Sequence, residues 1–589
     1  RLKSDAIKNV EIITSPGARY DATVSSVIRI RTVKKQGEGV SESLNSMVWY
    51  NGYLGGSEQL SLNYQSEKLN LFGSLWGYTK GHKEATSLIQ HIKGTKNVTV
   101  NQYDPLSYRN TMGEVNFGFN YDLNDENSIG ASYDLECEPY AKGHADGQQE
   151  IFNEGQPVDI IKQKVLADDI GGPTHELNAY YVGKVNKLGI DFNGTYLWQK
   201  TGRDMLETEE ATVLENREIH TASRRHNQLL AGKLVLSYPI AKGQLELGSE
   251  VSHTHSSGEY SNAEGIVADA STDMKEDNLA GFFAFSYPLG SFSMDAGLRY
   301  EYVSAKYYSF GKYEEEPSRN YSNWFPNLTL SWNKEPWAAS LAYTCKTKRP
   351  SYSSLRNEVQ YDNRYMYEGG DPYLRPTIAH DVSLDVMCNW ISFGVEYLYE
   401  DNPIIWYATL YNHQDIAFLR NVNFSSKQTM TAYVIAAPKF DWYQPTWQVF
   451  FQKPFFDAEK YGAPRGLSKP ALGITWNNKF KLSSTWTSWV TLHANTTSYN
   501  AFRRYRSGYF ASMRMVKTFF DEALTVNFYA DDIFRSQKDQ WTMYGDHATL
   551  TKDSYNSARE IGVRVVCKFN SGHRKYKGSG AGNAEKSRF

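Results

Sequence analysis

The chain has 589 residues, with 63 Lys and Arg against 66 Asp and Glu, 4 Cys, 42 Tyr, 28 Phe and 14 Trp. The formal net charge of −3 lacks the basic footprint of a nucleic-acid-binding protein, so we predict no nucleic-acid partner. No run of about 18 apolar residues occurs, which excludes a helical membrane protein, whereas a membrane-spanning strand needs only about 9–11 residues of alternating polarity.

The first 36 residues differ in pattern from the rest of the chain. Residues 10–13 and 27–32 predict two short strands on either side of a turn at Pro16 and Gly17. We expect residues 1–36 to form a small unit that a polar linker joins to the next segment. No signal peptide begins the sequence, so we expect it to start within a mature or trimmed polypeptide.

From residue 37 to residue 569 one rhythm repeats, in which two alternating segments flank a tight polar turn and a longer polar loop follows. In residues 115–123 the odd positions are apolar or aromatic, and the even positions are small or polar. We count about 22 such segments, and an even number of them predicts an all-β fold, a transmembrane antiparallel β-barrel over residues 37–569.

The connections between these segments alternate in length. Short turns are predicted near residues 67–68, 124–127, 186–189, 240–243, 288–291, 333–336, 389–390 and 519–522. Long loops are predicted at residues 81–112, 142–174, 201–226, 348–377 and 535–556. This alternation is typical of an outer-membrane barrel with periplasmic turns and extracellular loops. A series of soluble β-sandwiches would also alternate, but its strands are shorter and nothing imposes one rhythm on the whole chain.

The last predicted strand, residues 559–569, should close the barrel by pairing with residues 43–51, since a closed barrel has no free edge. We expect its side chains to alternate, with Ile561, Val563, Val565, Cys567 and Phe569 facing lipid, and with Glu560, Arg564 and Lys568 facing the lumen. Residues 570–589 are basic and glycine-rich and have no apolar period, so we predict a flexible tail that hangs in the periplasm, with both chain termini on that side.

Several segments resemble the TonB-dependent outer-membrane receptors, in the form common among Bacteroidetes barrel proteins. Residues 10–22 look like the last part of that family's plug domain, on the residues Glu11, Pro16, Gly17, Tyr20 and Asp21. The most specific part is the pair formed by Arg349-Pro350 and residues 371–376, which read Asp-Pro-Tyr-Leu-Arg-Pro. The chain departs from the family at Ser25-Ser26, where a glycine pair is usual, and at Arg29, where asparagine is usual.

The resemblance implies a receptor in the bacterial outer membrane that imports a specific ligand through a plugged barrel and is energised by a TonB-type protein. It also implies that residues 1–36 are only the C-terminal part of the plug, because the segment that the energising partner grips has no match in this sequence. The alternative is a non-transporting barrel that serves as a scaffold or surface receptor, with a surface lipoprotein or another outer-membrane protein as its partner. The other expected partner is outer-membrane lipid, and the small ligand is not identified.

No catalytic motif occurs in the chain, so we predict that the protein is not an enzyme and carries no cofactor. Cys137, Cys345, Cys388 and Cys567 all fall on the apolar phase of their strands, where a thiol acts as a small hydrophobic side chain rather than as a metal ligand. His253 and His255 share one strand face about 7 Å apart. We interpret them as solvated surface, with metal capture as the less favoured alternative.

Two groups of side chains could contact a ligand. The inward-phase residues would form a polar, mixed-charge lumen wall, which we expect mainly to solvate the lumen and contact the plug: Asp134, Glu136, Glu246, Glu250, Asp295, Arg299, Glu301, Arg564 and Lys568. Aromatic side chains in the predicted loops could stack on a sugar or an aromatic chelator, or could pack the loops together: Tyr352, Tyr361, Tyr365, Tyr367, Trp406, Tyr407 and Tyr411.

Overall fold

The computed structural model describes residues 7–13, 16–24, 27–32, 38–570 and 576–589. The first half of the chain contains short strands followed by long ones: β1 Ile7–Ile13, β2 Val27–Thr32, β3 Gly39–Tyr50, β4 Leu54–Gln65, β5 Leu69–Lys93, β6 Asn97–Asn124, β7 Asn127–Asn153, β8 Gln156–Val185, β9 Leu188–Ala211, β10 Arg217–Ile240, β11 Gly243–Asn262, β12 Ala270–Leu289, β13 Phe292–Ser309 and β14 Lys312–Lys334.

The second half has shorter strands: β15 Trp337–Lys348, β16 Val359–Asn363, β17 Met366–Gly369, β18 Thr377–Cys388, β19 Ile391–Asp401, β20 Ile404–Leu410, β21 Ala417–Asn423, β22 Ser426–Ala436, β23 Tyr443–Phe455, β24 Ala471–Lys481, β25 Trp486–Asn495, β26 Ser498–Asn500, β27 Arg503–Tyr505, β28 Gly508–Phe519, β29 Leu524–Asp531, β30 Asp539–Tyr544, β31 Ala548–Asn556 and β32 Glu560–Phe569. A 3-10 turn covers Ala458–Tyr461, and the short helix α1 covers Asn583–Lys586.

A closed ring of 22 antiparallel strands forms the barrel, as the sequence pattern predicted. The ring closes where β32 pairs with β3, with Leu44 opposite Cys567 and Val48 opposite Val563. A closed ring pairs every backbone N–H and C=O group within the sheet, which is what the hydrocarbon interior of a membrane requires.

No helix in the described part of the chain is long and apolar enough to span a membrane.

Side chains alternate across the barrel wall. In β6 the apolar Phe117, Phe119 and Tyr121 are 55%, 36% and 37% exposed, whereas the intervening Asn120 is 1% exposed and hydrogen-bonded inside. The same alternation holds in β32, where Ile561 and Phe569 are exposed. The exposed apolar band therefore faces lipid, and the polar phase faces the lumen.

Short turns lie at one end of the barrel, for example at residues 125–126 and 186–187, and we call this the short-turn end. We call the other end the long-loop end. The prediction of loops there at residues 81–112, 142–174 and 201–226 was wrong, because most of these residues lie in paired strands. Strands β5 to β10 are far longer than the roughly 9–11 residues that cross a membrane. Neighbouring hairpins stay paired with each other along most of this length, so the six strands continue as one wall beyond the membrane.

The connection that follows β15 and the one that follows β19 fold into a four-stranded sheet in the order β16-β17-β21-β20. This sheet packs against the inner faces of the long hairpins through buried apolar side chains. Met366 and Leu419 of the sheet contact a cluster that includes Val100, Ile151 and Leu550 of the wall. The long-loop end is therefore filled by folded structure rather than by open loops.

Two terminal segments lie inside the barrel. Ala18 packs against Val235 and Phe282 of the wall, which places residues 16–24 in the lumen. Residues 576–589, which we call the C-terminal tail, also lie there, since Ala581 is fully buried against the wall. The prediction of a flexible tail hanging in the periplasm was wrong for these residues, because small side chains and backbone donors let the tail pack along a polar wall. The domain boundaries 36/37 and 569/570 stay predictions.

Candidate functional site

A cavity of about 390 Å³ lies at the long-loop end, between the hairpins and the four-stranded sheet. We call it the acidic cavity, because carboxylates dominate its charged lining. The charged lining residues are Glu84, Asp104, Glu207, Asp362, Glu368 and Lys552. The ammonium of Lys552 lies 3.5 Å from Glu84 and 3.3 Å from Asp539, so it does not neutralise the other four carboxylates.

Those four carboxylates differ in how they are held. Gln102 donates to Asp104 at 2.5 Å, and Gln163 donates to Glu207 at 2.6 Å. Within the described residues, no group donates a hydrogen bond to the side chain of Asp362, although it lies in the folded sheet. The side chain of Glu368 has no described donor either, so the two carboxylates of the sheet are those in the cavity whose charge is not met by a hydrogen bond.

Burial and like charges shift the acidity of the two carboxyl groups contributed by the sheet. Burial, followed by the charges of Glu368 and Asp104, raises the pKa of Asp362 to about 8. Burial also raises the pKa of Glu368, and the charge of Arg503 opposes this shift. A cation entering the cavity would favour the charged forms of both groups.

Aromatic rings complete the wall of the acidic cavity. Trp406 of β20 and Trp541 of β30 are half-buried and line it, together with Tyr361. The hydroxyl of Tyr361 donates to Glu209 at 2.7 Å, which fixes its ring. The guanidinium of Arg503 lies 4.9 Å from the centre of the Trp541 ring, and Trp406 packs against the apolar cluster beside the cavity.

Of the seven candidate aromatics, Tyr361 and Trp406 line the acidic cavity and the other five do not. Tyr367 packs against Tyr361 at a ring distance of 5.6 Å, and Tyr407 lies in an aromatic cluster 4.4 Å from Phe502. Tyr352 packs against the last residue of the chain, Phe589, at 5.6 Å. The four carboxylates were missed, because an acidic residue in a loop is normally solvated and only the folded sheet buries these.

A second group of charges lies deep in the lumen, around the predicted plug residue Asp21. Arg299 lies 3.4 Å from Asp21 and 2.6 Å from Glu301, and Arg349 lies 4.0 Å from Asp21. Burial raises the pKa of Asp21, but the charges of Arg349 and Arg299 outweigh it and hold the pKa below its usual value. These pairs hold residues 16–24 against β13 and the segment that follows β15.

The rest of the plug segment adds further contacts to the wall. Arg19 lies 2.6 Å from Asp191 and 3.2 Å from Glu246, which was predicted to contact the plug. Pro16 is buried, and Gly17 and Tyr20 line a second cavity of about 1220 Å³ at the short-turn end. The side chain of Glu11 lies outside the described residues.

The remaining candidate residues have structural partners. All four cysteines are free, and Cys345 is buried. His253 lies 2.7 Å from Asp277, and His255 lies 2.7 Å from Asp273. In the described ranges no group of three or more His, Cys, Asp or Glu residues could hold a metal ion.

Three solved structures of similar fold are a siderophore receptor, a copper transporter and an iron transporter. The siderophore receptor PirA from Pseudomonas aeruginosa has 12% sequence identity and a TM-score of 0.56, and the match covers 95% of this chain and 87% of that chain. The copper transporter OprC has 10% identity and a TM-score of 0.63 over 95% and 85%. The FrpB iron transporter from Neisseria meningitidis has 12% identity and a TM-score of 0.57 over 96% and 88%.

At these identities the likeness shows the fold alone. A search of curated protein sequences found no match. A family model, described as the outer membrane protein beta-barrel family, matches residues 183–566, which is more than half of the chain. The wall with its exposed apolar band, the closed ring of strands and this match agree: the chain belongs to the outer membrane protein beta-barrel family and is a protein of the bacterial outer membrane.

Proposed function

We propose that the protein is a receptor that binds a small organic cation at its long-loop end and imports it through the plugged barrel, energised by a TonB-type protein. The single observation that carries the proposal is the acidic cavity, whose lining brings four carboxylates and two tryptophans together at the long-loop end. Concave sites with an apolar wall and a few convergent polar groups are typical ligand sites.

The charge of the cavity favours a cationic ligand. Burial and the charges of Glu368 and Asp104 raise the pKa of Asp362, and burial raises that of Glu368. A bound ammonium or guanidinium group would favour the ionised forms of both. The indole faces of Trp406 suit both a cation and an apolar body. An organic cation fits better than a bare metal ion, because the described residues lack a cluster of metal ligands.

Import is favoured over a scaffold role by what fills the barrel. Cavities of about 390 Å³ and 1220 Å³ lie at its two ends, and between them are residues 16–24 and the C-terminal tail. A scaffold would need neither cavity. The similar structures that are named siderophore receptor, copper transporter and iron transporter support the same choice.

Binding is tested with 2-phenylethylammonium, a small cation with an apolar ring, by tryptophan fluorescence of the purified barrel. We expect quenching by this probe, and much weaker quenching by neutral 3-phenylpropanol and anionic 3-phenylpropanoate, which have the same ring. The D362N/E368Q variant keeps the shape of both side chains and should lose the preference for the cation. Equal responses to the three compounds would contradict the cationic ligand class.

Import is tested separately, with radiolabelled 2-phenylethylammonium and cells that produce the protein. Accumulation should require both the barrel and the inner-membrane energising protein, whereas surface binding should require the barrel alone. Accumulation that persists without the energising protein would contradict energised import, and binding without any accumulation would favour the scaffold or surface-receptor alternative.

A further inference from the structure

The C-terminal tail enters the barrel along β6 to β8. The ring of Tyr576 meets that of Tyr180 edge-on at a centroid distance of 5.0 Å. The ammonium of Lys577 donates to Asp122 at 2.6 Å, close to the turn that joins β6 and β7. The tail therefore begins at the short-turn end, where β32 ends.

The middle of the tail is held by its backbone. The N–H of Ser579 donates to the Asn193 side chain at 2.8 Å, and the N–H of Ala581 donates to the Thr195 hydroxyl at 2.9 Å. Both acceptors stand on the lumen face of β9, two residues apart, so one strand face presents evenly spaced acceptors to an extended peptide. Such matched spacing is what a peptide-binding groove provides.

The shape of the wall also demands small tail residues. A Cβ atom on Gly582 would lie 2.7 Å from the Cβ of Ala231 and 3.0 Å from a methyl group of Leu229, which leaves no room for it. Gly582 has a φ of +64°, which favours glycine, and its N–H donates to Glu250 at 3.2 Å. The wall and the tail are therefore complementary in shape as well as in hydrogen bonding.

The end of the tail is held by charge and by stacking. Arg588 donates to both carboxylate oxygens of Glu276, one of them at 3.1 Å, and to the carbonyl oxygen of Pro350 at 3.2 Å. Its guanidinium lies 4.2 Å from the centre of the Tyr352 ring, and Phe589 packs on the same tyrosine. A bidentate, buried and stacked arginine is a specific anchor rather than an incidental contact.

The two terminal segments meet at one arginine. Arg349 lies 3.5 Å from Glu585 of the tail and 4.0 Å from Asp21 of the plug segment, with its other nitrogen bonded to Glu301. The tail thus lies beside residues 16–24 across the lumen, and its Lys577 lines the large cavity at the short-turn end.

We propose that the lumen wall of β6 to β12 is a peptide-binding groove for this chain's own C-terminal tail, and that the docked tail closes the barrel as a second plug. The chemistry recognised is a glycine-rich peptide with a lysine near its start and an arginine next to its terminal residue. This inference goes beyond the proposed function, and its test uses ion flow rather than ligand binding, so the two can fail independently.

The test compares the full chain with a chain truncated after Asn570, each reconstituted in a planar lipid bilayer. We expect the truncated barrel to conduct ions at least about tenfold more than the full chain, because the space of the tail is open to water. A synthetic peptide of residues 576–589, added at the short-turn side, should restore the low conductance. Equal conductance of the two chains, or a peptide without effect, would overturn the inference.

Specificity is tested with peptide variants. The R588E peptide should require at least about a tenfold higher concentration to block, because it places a carboxylate against Glu276. The S587A peptide is the matched control, since Ser587 is exposed and bonds only within the tail, and it should block like the native peptide. A truncated E276R barrel should be blocked by the R588E peptide. Equal potency of R588E and S587A peptides on the native wall would overturn the groove.

If the truncated chain does not assemble, the full-length R588E chain replaces it, since it retains every residue. Its conductance should exceed that of the full-length S587A chain. Equal conductance of these two chains would overturn the inference.

Discussion

Arg588, the residue before the C terminus, forms a bidentate ion pair with Glu276 on the lumen face of β12. Their side chains are 5% and 7% exposed, so the pair lies in the interior of the barrel although the two residues are far apart in sequence. Burying a guanidinium costs free energy that only a well-matched partner offsets, and the pair therefore commits the end of the chain to one position.

Removing one partner of this pair should release the tail. The R588A substitution leaves the carboxylate of Glu276 buried without its cation, which typically costs about 3–5 kcal/mol, here of tail docking free energy. We expect carboxypeptidase to digest the tail of R588A in solubilised barrels much faster than the tail of the native chain or of S587A. Equal digestion rates in R588A and S587A would contradict an anchoring role.

Binding of 2-phenylethylammonium should depend on pH through Asp362. Its pKa is raised to about 8, so below that pH the carboxyl is protonated and a cation must displace the proton. The affinity should rise by up to about tenfold per pH unit below pH 8 and level off above it. Titration calorimetry of the native chain and of D362N, which lacks this titrating group, measures the effect.

Other charged groups around Asp362 also affect how the affinity for the cation depends on pH. Glu368 lies on β17 of the same sheet, whereas Asp104, Glu207 and Lys552 come from the wall strands. Since the pKa of Glu368 is also raised, D362N should retain a weaker rise with pH rather than a flat profile. A native affinity that falls as the pH rises would contradict a cationic site.

Barrel insertion should distinguish two neighbouring residues of β32. Val565 lies opposite Ser46 and Val526 on the lipid phase, whereas Val566 lies opposite Asn45 on the lumen phase. An arginine near the membrane midplane on the lipid face costs roughly 2–4 kcal/mol, so V565R should reduce assembly and V566R should reduce it far less. The yield of heat-modifiable, membrane-inserted protein measures both, and equal yields would contradict the alternation.

The orientation of the barrel is tested with epitope insertions. The tip of the β9–β10 hairpin at Val213 is 72% exposed, and an epitope there should be reached by antibody on intact cells. An insertion near Glu209 would not test the orientation, because the carboxylate of Glu209 is buried and accepts hydrogen bonds from Arg364 and Tyr361, so the insertion would disturb the fold. The matched control is an epitope at Asp125 in a short turn, which should stay unlabelled until the outer membrane is permeabilised. The reverse labelling would show that the short-turn end, rather than the long-loop end, lies outside the cell.

The barrel wall could be predicted from the sequence because its signal is local. Alternation with a period of two, as in residues 115–123, reports directly on lipid and lumen faces, and the strand count and the β3–β32 closure follow from it. The long hairpins were read as loops because the apolar phase stops at the membrane boundary, while backbone pairing continues.

The contents of the barrel could not be predicted in the same way. Asp362 and Glu368 are brought to the cavity by a sheet that is built from two separate connections. In that sheet β17 pairs in parallel with β21, a long-range pairing that no local pattern indicates. The tail has no periodic pattern, and its partners Asn193 and Glu276 are hundreds of residues away in the sequence. Tyr361 and Trp406 were named as candidates because loop aromatics are common ligand contacts, but the sequence did not indicate that they line one cavity.

The acceptors for the tail stand on several strands, including Asn193 on β9, Glu250 on β11 and Glu276 on β12. A slip of one residue in any of these strands would turn its acceptor toward lipid. The tail can therefore dock fully only on a wall whose strands are in register. Docking of the tail thus reports on the register of β9, β11 and β12, and a folded reporter fused after Phe589 would obstruct it, whereas one placed at the exposed hairpin tip near Val213 would not.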